Sequence, residues 1–393
     1  MPRILFVNAN LHGHINPTIP LVKRLVNSGF HVDYYCSRQF HEKIRSTGAT
    51  FIEYSAEMNT FLAAYRPTDR HPFYMLMEYI LLYAEAVLPE VLELIRENHY
   101  DMVIGDSLFG APVFLKEMLQ IPVVSSHASF AMSKAPVPPN MLVPGIHPQL
   151  DHCYEVLHRI CIAYALPVPD LSDVFMSQAE HNVVYTIPEF NGDDALDFSK
   201  YLFAGSSVEE DKETADDIFA GKMNQPVVYI SLGSVNTGFL DFYKLCIEAF
   251  ADSEYFVVMS IGHQCRIEQL GAIPSNFHIG SFLPQLAILK NADVFVTHAG
   301  FNSVHESLFF GVPMLALPIV NDQPMVAGRI TELAIGDVGS FKDMDPHTLR
   351  TKVSNLLSNS RYKDNCQKMS LLLRETDRLA VVLKAFEKLL TSE

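Results

Sequence analysis

Short apolar runs alternate with amphipathic stretches along both halves of the chain. In the N-terminal half, residues 4–7, 31–36 and 101–106 form such runs, and segments with helical spacing lie between them. In the C-terminal half the same alternation begins at residues 227–232 and returns at residues 294–298. Strands that alternate with helices are typical of a parallel sheet covered by helices on both faces. The pattern therefore predicts an α/β protein with two doubly wound halves.

A charged, turn-rich segment separates the two halves. Residues 205–224 read GSSVEEDKETADDIFAGKMN, and they lack the apolar periodicity of their neighbours. Such a composition is typical of a linker between domains. We therefore predict an N-terminal domain at residues 1–212 and a C-terminal domain at residues 213–375.

Composition narrows the range of partners. The chain has 393 residues and a formal net charge of −16, which disfavours nucleic acid and anionic membrane surfaces. Its most apolar long segment, residues 73–88, is interrupted by Glu78 and Glu85, so we predict no stable membrane insertion. The first residues have the pattern of a strand rather than of a signal peptide. Six cysteines occur without a C-x-x-C pair, as is typical of reduced thiols, and we predict a cytoplasmic protein.

The strongest candidate for a binding site begins at the end of the apolar run VFVT, residues 294–297. His298 follows this run, a small-residue turn comes next, and helical spacing resumes at Ser303. A turn between a strand and a helix leaves free backbone N–H groups and the positive end of the helix dipole, which together suit a phosphate. Gly300 would let an anion approach the backbone, and Asn302 and Ser303 would add side-chain donors. One turn later, Glu306 is an acceptor suited to a sugar diol. The residues therefore predict a nucleotide site built almost without Lys or Arg.

The spacing of residues across this region resembles a known signature. Residues 282–323 read FLPQLAILKNADVFVTHAGFNSVHESLFFGVPMLALPIVNDQ. This stretch resembles the donor-binding signature of the UDP-dependent glycosyltransferases with the GT-B fold, and within them the bacterial macrolide and flavonoid branch. The resemblance implies two Rossmann-like domains that face each other across a cleft, with the acceptor bound by residues 1–212 and the nucleotide sugar by residues 213–375. It also implies that the C-terminal helix, residues 376–393, packs back on the first domain.

The resemblance also assigns roles in donor binding. His298 and the amides after it would hold the diphosphate, and Phe282 would stack on uracil, where many family members carry a tryptophan that this chain lacks. Gln285 and Glu306 would hold the ribose. Ser234 would add a phosphate contact, and the Asp322–Gln323 pair would bind the hydroxyls of the sugar, which favours glucose while leaving other hexoses and a thymidine nucleotide open. The complete set of predicted donor-binding residues is Ser234, Phe282, Leu283, Gln285, His298, Gly300, Asn302, Ser303, Glu306, Asp322 and Gln323.

Sugar transfer needs a base for the acceptor hydroxyl. We predict that His14, in the turn after the first strand, is this base, since imidazole titrates near neutral pH. Asp106, at the end of a later strand, would orient it; this pair resembles the His–Asp dyad of the same family. Displacement would be direct and inverting, with no metal and no cofactor. The string Asp343-Met344-Asp345 is interpreted as a helix N-cap followed by proline rather than as a metal site.

A proline-bearing apolar segment, residues 129–148, is predicted to form one wall of an acceptor pocket, although a packed surface loop is the alternative. Residues 58–83 could form the other wall or belong to the core. The predicted acceptor-binding residues are Met75, Tyr79, Phe109, Phe130, Met132 and Met141.

The sequence thus predicts an inverting glycosyltransferase that moves a sugar, glucose above all, from a UDP-sugar to a hydroxyl of an apolar small molecule such as a macrolide, a flavonoid or another phenolic. Two alternatives remain open. A UDP-sugar epimerase of the same fold would convert the donor without an acceptor, and a catalytically silent partner protein would act on neither. We predict a monomer or a homodimer.

Overall fold

The computed structural model describes residues 1–64, 71–109, 111–208, 214–220, 224–233, 238–374 and 377–391. Backbone contacts divide the chain into two compact units. Unit 1 comprises residues 1–207 together with 377–393, and unit 2 comprises residues 208–376. The sequence pattern places the corresponding boundary after residue 212, and part of the predicted linker lies outside the described residues.

Unit 1 contains a parallel sheet of seven strands in the order β3-β2-β1-β4-β5-β6-β7. The strands are buried on both faces over most of their length, as expected when helices cover both sides of a sheet. The strand order reverses next to β1, which pairs with both β2 and β4. The strands are β1 (Arg3–Val7), β2 (His31–Cys36), β3 (Thr50–Glu53), β4 (Met102–Asp106), β5 (Val123–His127), β6 (His181–Val184) and β7 (Tyr201–Phe203).

Nine helices of unit 1 precede the linker in the described part of the chain. The longest, α5, follows an apolar pattern of helical period and buries ten residues. The helices are α1 (His12–Ile15), α2 (Ile19–Asn27), α3 (His41–Arg45), α4 (Ala56–Ala64), α5 (Pro72–Glu97), α6 (Ala111–Met118), α7 (Pro148–Tyr164), α8 (Leu171–Met176) and α9 (Pro188–Asn191).

Unit 2 repeats the architecture with six parallel strands in the order β10-β9-β8-β11-β12-β13. Here the order reverses next to β8, which pairs with both β9 and β11. The strands are β8 (Val227–Ser231), β9 (Phe256–Ser260), β10 (Phe277–Gly280), β11 (Val294–Thr297), β12 (Met314–Ala316) and β13 (Gly336–Val338). The helices are α10 (Asp216–Phe219), α11 (Leu240–Phe250), α12 (Gln285–Leu289), α13 (Phe301–Phe309), α14 (Gln323–Glu332), α15 (Pro346–Ser358) and α16 (Ser360–Arg374).

The last helix, α17 (Arg378–Thr391), belongs to unit 1 rather than to the unit that precedes it in the chain. Val382 and Phe386 are fully buried in the core of unit 1. At the start of the helix, Arg24 Nη2 lies 2.7 Å from Asp377 Oδ2. Apolar burial therefore holds α17 in place, because an exposed ion pair contributes little.

The prediction of two doubly wound α/β halves is confirmed. Two local differences remain. The turn after β1 contains the short helix α1, and β13 was not predicted. Strand β13 has only three residues and no apolar run, so periodicity cannot reveal it. Gly336 is required there because a Cβ atom would lie 2.1 Å from the Met314 carbonyl oxygen.

No helix in the described part of the chain is both long and apolar enough to span a bilayer.

Candidate active site

His14 and Asp106 meet at the point where the strand order of unit 1 reverses. Val7 and Gly105 are register partners on β1 and β4, so the residues that follow them leave the sheet side by side. His14 Nδ1 lies 2.7 Å from Asp106 Oδ2, and the side chains are 13% and 3% exposed. Such reversals are where ligands bind in open α/β sheets.

Asp106 also fixes the tautomer of the imidazole. Its Oδ1 accepts a hydrogen bond from the Leu108 backbone N–H at 2.9 Å, which holds the carboxylate in place. Because an ionised carboxylate can only accept, Nδ1 of His14 must carry the proton. In the neutral ring Nε2 is then the basic nitrogen, as a general base requires.

A second histidine lies near this pair and behaves differently. His127, at the end of β5, is 5% exposed, and its Nε2 is 3.3 Å from Asn182 Oδ1. Burial lowers the pKa of His127 to about 4, although the Asn182 contact and Asp106 act in the opposite direction. His127 is therefore neutral at physiological pH. No motif in the sequence indicates that it lies close to the dyad.

In unit 2, His298 follows β11 at the turn into α13. Ala299 adopts a left-handed φ of 63°, and Gly300 is the N-cap residue of α13 without a side-chain capping bond. Among the described residues, the buried Nδ1 of His298 has no hydrogen-bond partner. Burial lowers the pKa of His298 to about 4. The ring is thus neutral and retains a polar atom for a ligand.

Two glycines make room for the His298 ring. A Cβ atom on Gly300 would lie 2.5 Å from His298 Nε2, and one on Gly233 would lie 2.6 Å from its Cε1. Gly233 also has a φ of 79°, which favours glycine. The sequence predicts that Gly300 lets an anion come close to the backbone. The structure gives this glycine an additional steric role. Gly233 was not predicted, although it lies next to the Ser234 candidate.

The predicted ribose-binding residues are neighbours. Gln285, the first residue of α12, donates through Nε2 to Ser303 Oγ at 3.3 Å and to Glu306 Oε2. The Tyr229 hydroxyl, on β8, donates to Gln285 Oε1 at 3.1 Å. Burial raises the pKa of Tyr229, so this hydroxyl stays protonated and remains a donor. Gln285 and Glu306 are therefore held in one network.

The predicted base platform is an exposed aromatic pair. Phe282 is 53% exposed, and its ring centroid lies 4.1 Å from that of His263 at an interplanar angle of 44°. Leu283 covers Gly280, where a Cβ atom would come within 2.5 Å of the leucine side chain. His263 is a further aromatic group at this position that the sequence analysis did not identify.

The remaining donor candidates differ in how they are placed. Asp322 is the N-cap residue of α14 but makes no side-chain capping bond, and Asn302 lies in the first turn of α13. Gln323 is buried, and its Oε1 accepts from the backbone N–H groups of Ile319 and Val320 at 2.8 and 3.0 Å. The Gln323 carbonyl oxygen therefore supports the preceding loop. Ser234 lies outside the described residues.

Three of the acceptor candidates are half-buried on α5 or in the loop that contacts it. Met75 and Tyr79 lie on α5, and Tyr79 stacks with Phe61 at a centroid distance of 6.3 Å. The Met141 carbonyl oxygen accepts from the Tyr74 hydroxyl at 2.9 Å, which links the loop to α5.

The other acceptor candidates lie in different surroundings. The Met132 carbonyl oxygen accepts from Gln178 Nε2 at 2.9 Å. Phe130 is buried and stacks on Phe190 of α9 at 5.8 Å. The side chain of Phe109 lies outside the described residues.

The D-x-D string forms a helix cap. Asp345 Oδ1 accepts from the Thr348 backbone N–H at 2.6 Å, and Pro346 begins α15. The predicted N-cap is therefore confirmed.

Known proteins resemble this chain in sequence over nearly its whole length. The sequence profile of the family described as "UDP-glucoronosyl and UDP-glucosyl transferase" matches residues 203–378. An uncharacterized UDP-glucosyltransferase of Bacillus subtilis, YdhE, is 30% identical over 400 residues, which cover 99% of both chains. The chain belongs to the UDP-glucosyltransferase family. A second relative from B. subtilis, the NDP-glycosyltransferase YjiC, is 28% identical over 401 residues, 98% of this chain and 97% of its own.

Solved structures of two glycosyltransferases have the same fold. The glycosyltransferase of kitacinnamycin superposes with a TM-score of 0.84 at 25% identity and covers 99% of this chain and 100% of its own. CalG4, the calicheamicin glycosyltransferase, has a TM-score of 0.80 at 23% identity over 99% of this chain and 98% of its own. The resemblance found in residues 282–323 is confirmed, and the protein is a UDP-glycosyltransferase with the GT-B fold.

Proposed function

We propose that this UDP-glycosyltransferase moves glucose from UDP-glucose to a hydroxyl of an apolar small molecule, with inversion at the anomeric carbon. Unit 1 binds the acceptor and unit 2 binds the donor. The observation that carries this proposal is the 2.7 Å hydrogen bond between His14 Nδ1 and Asp106 Oδ2. It puts the ring proton on Nδ1, so Nε2 is the nitrogen that takes a proton from an alcohol.

In the proposed reaction, the acceptor oxygen attacks the anomeric carbon while its proton passes to Nε2 of His14. A new carbon–oxygen bond forms, and the bond between the sugar and the diphosphate breaks. UDP leaves with the electron pair of the broken bond. Asp106 stabilises the imidazolium that results, since an opposite charge at hydrogen-bond distance favours the charged form. An α-linked donor gives a β-glycoside.

The leaving diphosphate is stabilised in this proposal by unit 2. His298, neutral because burial lowers its pKa to about 4, would donate an N–H to a phosphate oxygen. The amides that begin α13 and the dipole of this helix would take up further charge. These donors supply what a metal ion supplies in other transferases, so we expect transfer without a metal or a cofactor.

Residues of unit 2 would also bind the nucleoside and the sugar of the donor. Gln285 and Glu306, already hydrogen-bonded to each other, would bind the ribose hydroxyls, and Phe282 would stack on uracil. Asp322 and Gln323 would contact the glucose. Two relatives carry the names UDP-glucosyltransferase and NDP-glycosyltransferase, which supports a nucleotide sugar with uridine as the first base to test and thymidine as the second.

An apolar acceptor is proposed from the composition of unit 1 around α5 and residues 129–148. Met75, Tyr79 and Met141 are half-buried apolar or aromatic side chains there, and such residues adapt to varied apolar ligands. One relative, 26% identical over 328 residues, is named oleandomycin glycosyltransferase. A macrolide or a phenolic compound is therefore the acceptor class that we propose.

The proposal is tested by incubating the protein with UDP-glucose and a panel of macrolides and flavonoids, followed by mass spectrometry of the products. We expect a mass gain of one hexosyl group, a β-anomeric signal in the NMR spectrum of the product, and the same rate in EDTA. His14→Ala is the control. Conversion of UDP-glucose into another UDP-hexose without an acceptor would favour an epimerase. Absence of turnover across the whole panel with both UDP- and TDP-glucose would favour a catalytically silent protein.

A further inference from the structure

Helix α1, which carries His14, is short and lacks a side-chain N-cap bond. It contains four residues, and its N-cap residue Leu11 makes no side-chain capping bond. Leu11, His12 and Gly13 are exposed, whereas Ile15 is buried. A helix of this length is not stable by itself in water. Contacts from the rest of unit 1 must therefore fix the backbone of His14.

Asn8, the first residue after β1, supplies one of these contacts. Its residue exposure is 1%. The Nδ2 amide donates to the His14 carbonyl oxygen at 3.2 Å and to the Tyr34 hydroxyl oxygen at 2.6 Å. Its Oδ1 accepts from the Ala9 backbone N–H at 2.7 Å. Both Nδ2 donors and the carbonyl oxygen of this side chain are thus used.

Three buried tyrosines make hydrogen bonds with Asn8. The hydroxyls of Tyr54 and Tyr83 donate to the main-chain carbonyl oxygen of Asn8, the second at 3.4 Å. The Tyr34 hydroxyl lies 2.8 Å from Thr18 Oγ1. Burial is the largest cause that raises the pKa of each of the three tyrosines. The hydroxyls therefore keep their protons, and the network does not change with pH in the physiological range.

We propose that Asn8 is a positioning residue for His14. Asp106 holds the imidazole through Nδ1 from β4, and Asn8 holds the main chain of the same residue through its carbonyl oxygen from β1. The direction of Nε2 is set only when both the ring and the backbone are fixed. This inference rests on the proposed function, in which Nε2 of His14 accepts the proton of the acceptor. A displacement of about 1 Å at a reacting group costs roughly a hundredfold in rate.

A purely structural role for Asn8 predicts a different outcome. A buried asparagine whose hydrogen bonds are lost destabilises a protein wherever it lies. Asn276, which precedes β10 in unit 2, is a control because its Nδ2 donates to the carbonyl oxygens of Phe250 and Tyr255, both at 2.9 Å. Asn276→Ala should therefore lower stability through lost hydrogen bonds without loosening α1.

The test is a double-mutant cycle on the full-length protein with UDP-glucose and the best acceptor from the panel. We would measure kcat, KM for both substrates, the Kd of UDP and the Tm for Asn8→Ala, His14→Ala, the double variant and Asn276→Ala, at a temperature well below every Tm. We expect Asn8→Ala to lower kcat by about 10-fold to 100-fold with the Kd of UDP unchanged. In the His14→Ala background the same substitution should change the residual rate less than twofold.

Two results would overturn the inference while the proposed function stands. One is an equal loss from Asn8→Ala in both backgrounds, which would mean that Asn8 acts independently of His14. The other is a loss of kcat in Asn276→Ala as large as that in Asn8→Ala. Full activity of His14→Ala would overturn both proposals together. If Asn8→Ala does not fold, Tyr34→Phe removes the support of Asn8 and should lower kcat several-fold only when His14 is present.

Discussion

The two histidines at the strand-order reversals of the two units have opposite environments. His14 in unit 1 shares a hydrogen bond with a carboxylate. His298 in unit 2 is half-buried, its buried Nδ1 has no partner among the described residues, and desolvation lowers its pKa to about 4. A carboxylate partner favours the protonated form of an imidazole, whereas desolvation disfavours it. The same side chain thus suits a proton acceptor at one position and a neutral hydrogen-bond donor at the other.

The two imidazole rings are also held in different ways. Asp106, itself held by the Leu108 backbone N–H, fixes the His14 ring by a hydrogen bond, so the orientation of this ring depends on polar groups. The His298 ring lies in space that the absence of side chains at Gly233 and Gly300 leaves open, so its position depends on shape. Removing the polar partner should therefore affect the His14 ring, whereas adding a methyl group should affect the His298 ring.

The largest expected effects come from removing either histidine ring, and they differ in whether UDP binding changes. His14→Ala should lower kcat by about 10²-fold to 10⁴-fold, because a general base typically contributes that much. The Kd of UDP should not change. His298→Ala should weaken UDP binding as well as lower kcat, because it removes a contact to the diphosphate. Isothermal titration with UDP and steady-state kinetics measure both quantities, and weakened UDP binding in His14→Ala would contradict this division.

A smaller effect is expected from filling the space beside His298. Gly300→Ala should weaken UDP binding by roughly tenfold and cost about 1–3 kcal/mol of unfolding free energy, because the new methyl group overlaps the ring. Gly328→Ala is the matched control. Gly328 lies in α14, and a Cβ atom there meets nothing within 4 Å. This substitution should stabilise the helix by up to about 1 kcal/mol. Equal UDP affinity in the two variants would refute the steric role of Gly300.

The lowered pKa values predict an acid-sensitive stability. His127, His298 and His305 each have a pKa lowered to about 4 by burial, against about 6.5 in an unfolded chain. Between these values the unfolded state binds more protons, so stability is complete above about pH 6.5 and declines as the pH falls towards 4.

This prediction can be measured from the Tm between pH 7.5 and 5, where few carboxylates titrate. His305→Gln should reduce the slope of Tm against pH, because it removes one of the three groups. A Tm that does not depend on pH over this interval would contradict burial of these rings in their neutral form.

The smallest expected effect concerns the base platform. Phe282→Trp should tighten UDP binding by a few-fold, because a larger exposed ring gives more stacking area against a pyrimidine. The kcat should remain within twofold, since Phe282 would contact the base and not the reacting atoms in the proposed mechanism. Fluorescence titration of the new tryptophan would report both binding and stacking. Weaker binding of UDP by Phe282→Trp would argue against stacking at this position.

The sequence could predict the donor-binding stretch because that stretch is local in the chain. Residues 282–323 form β11, α13 and the surrounding turns, and the contacts of Gln285 with Ser303 and Glu306 span only 18 and 21 residues. The apolar wall was harder to predict. Phe130 and Met132 lie two residues apart, yet Phe130 is buried against Phe190 and Met132 is half-buried. Composition does not distinguish such neighbours.

The sequence by itself determined the alternation of strands and helices, the two doubly wound halves, and a strand–turn–helix that suits a phosphate. Periods of 2 and 3.6 residues and turn chemistry are written into consecutive residues. The tertiary structure decided which distant residues meet. It placed Asp106 on His14 across 92 positions, Gly233 against His298, and Asn8 under the His14 carbonyl oxygen. Those contacts depend on strand order, which parallel pairing and long crossovers set and which no local pattern contains.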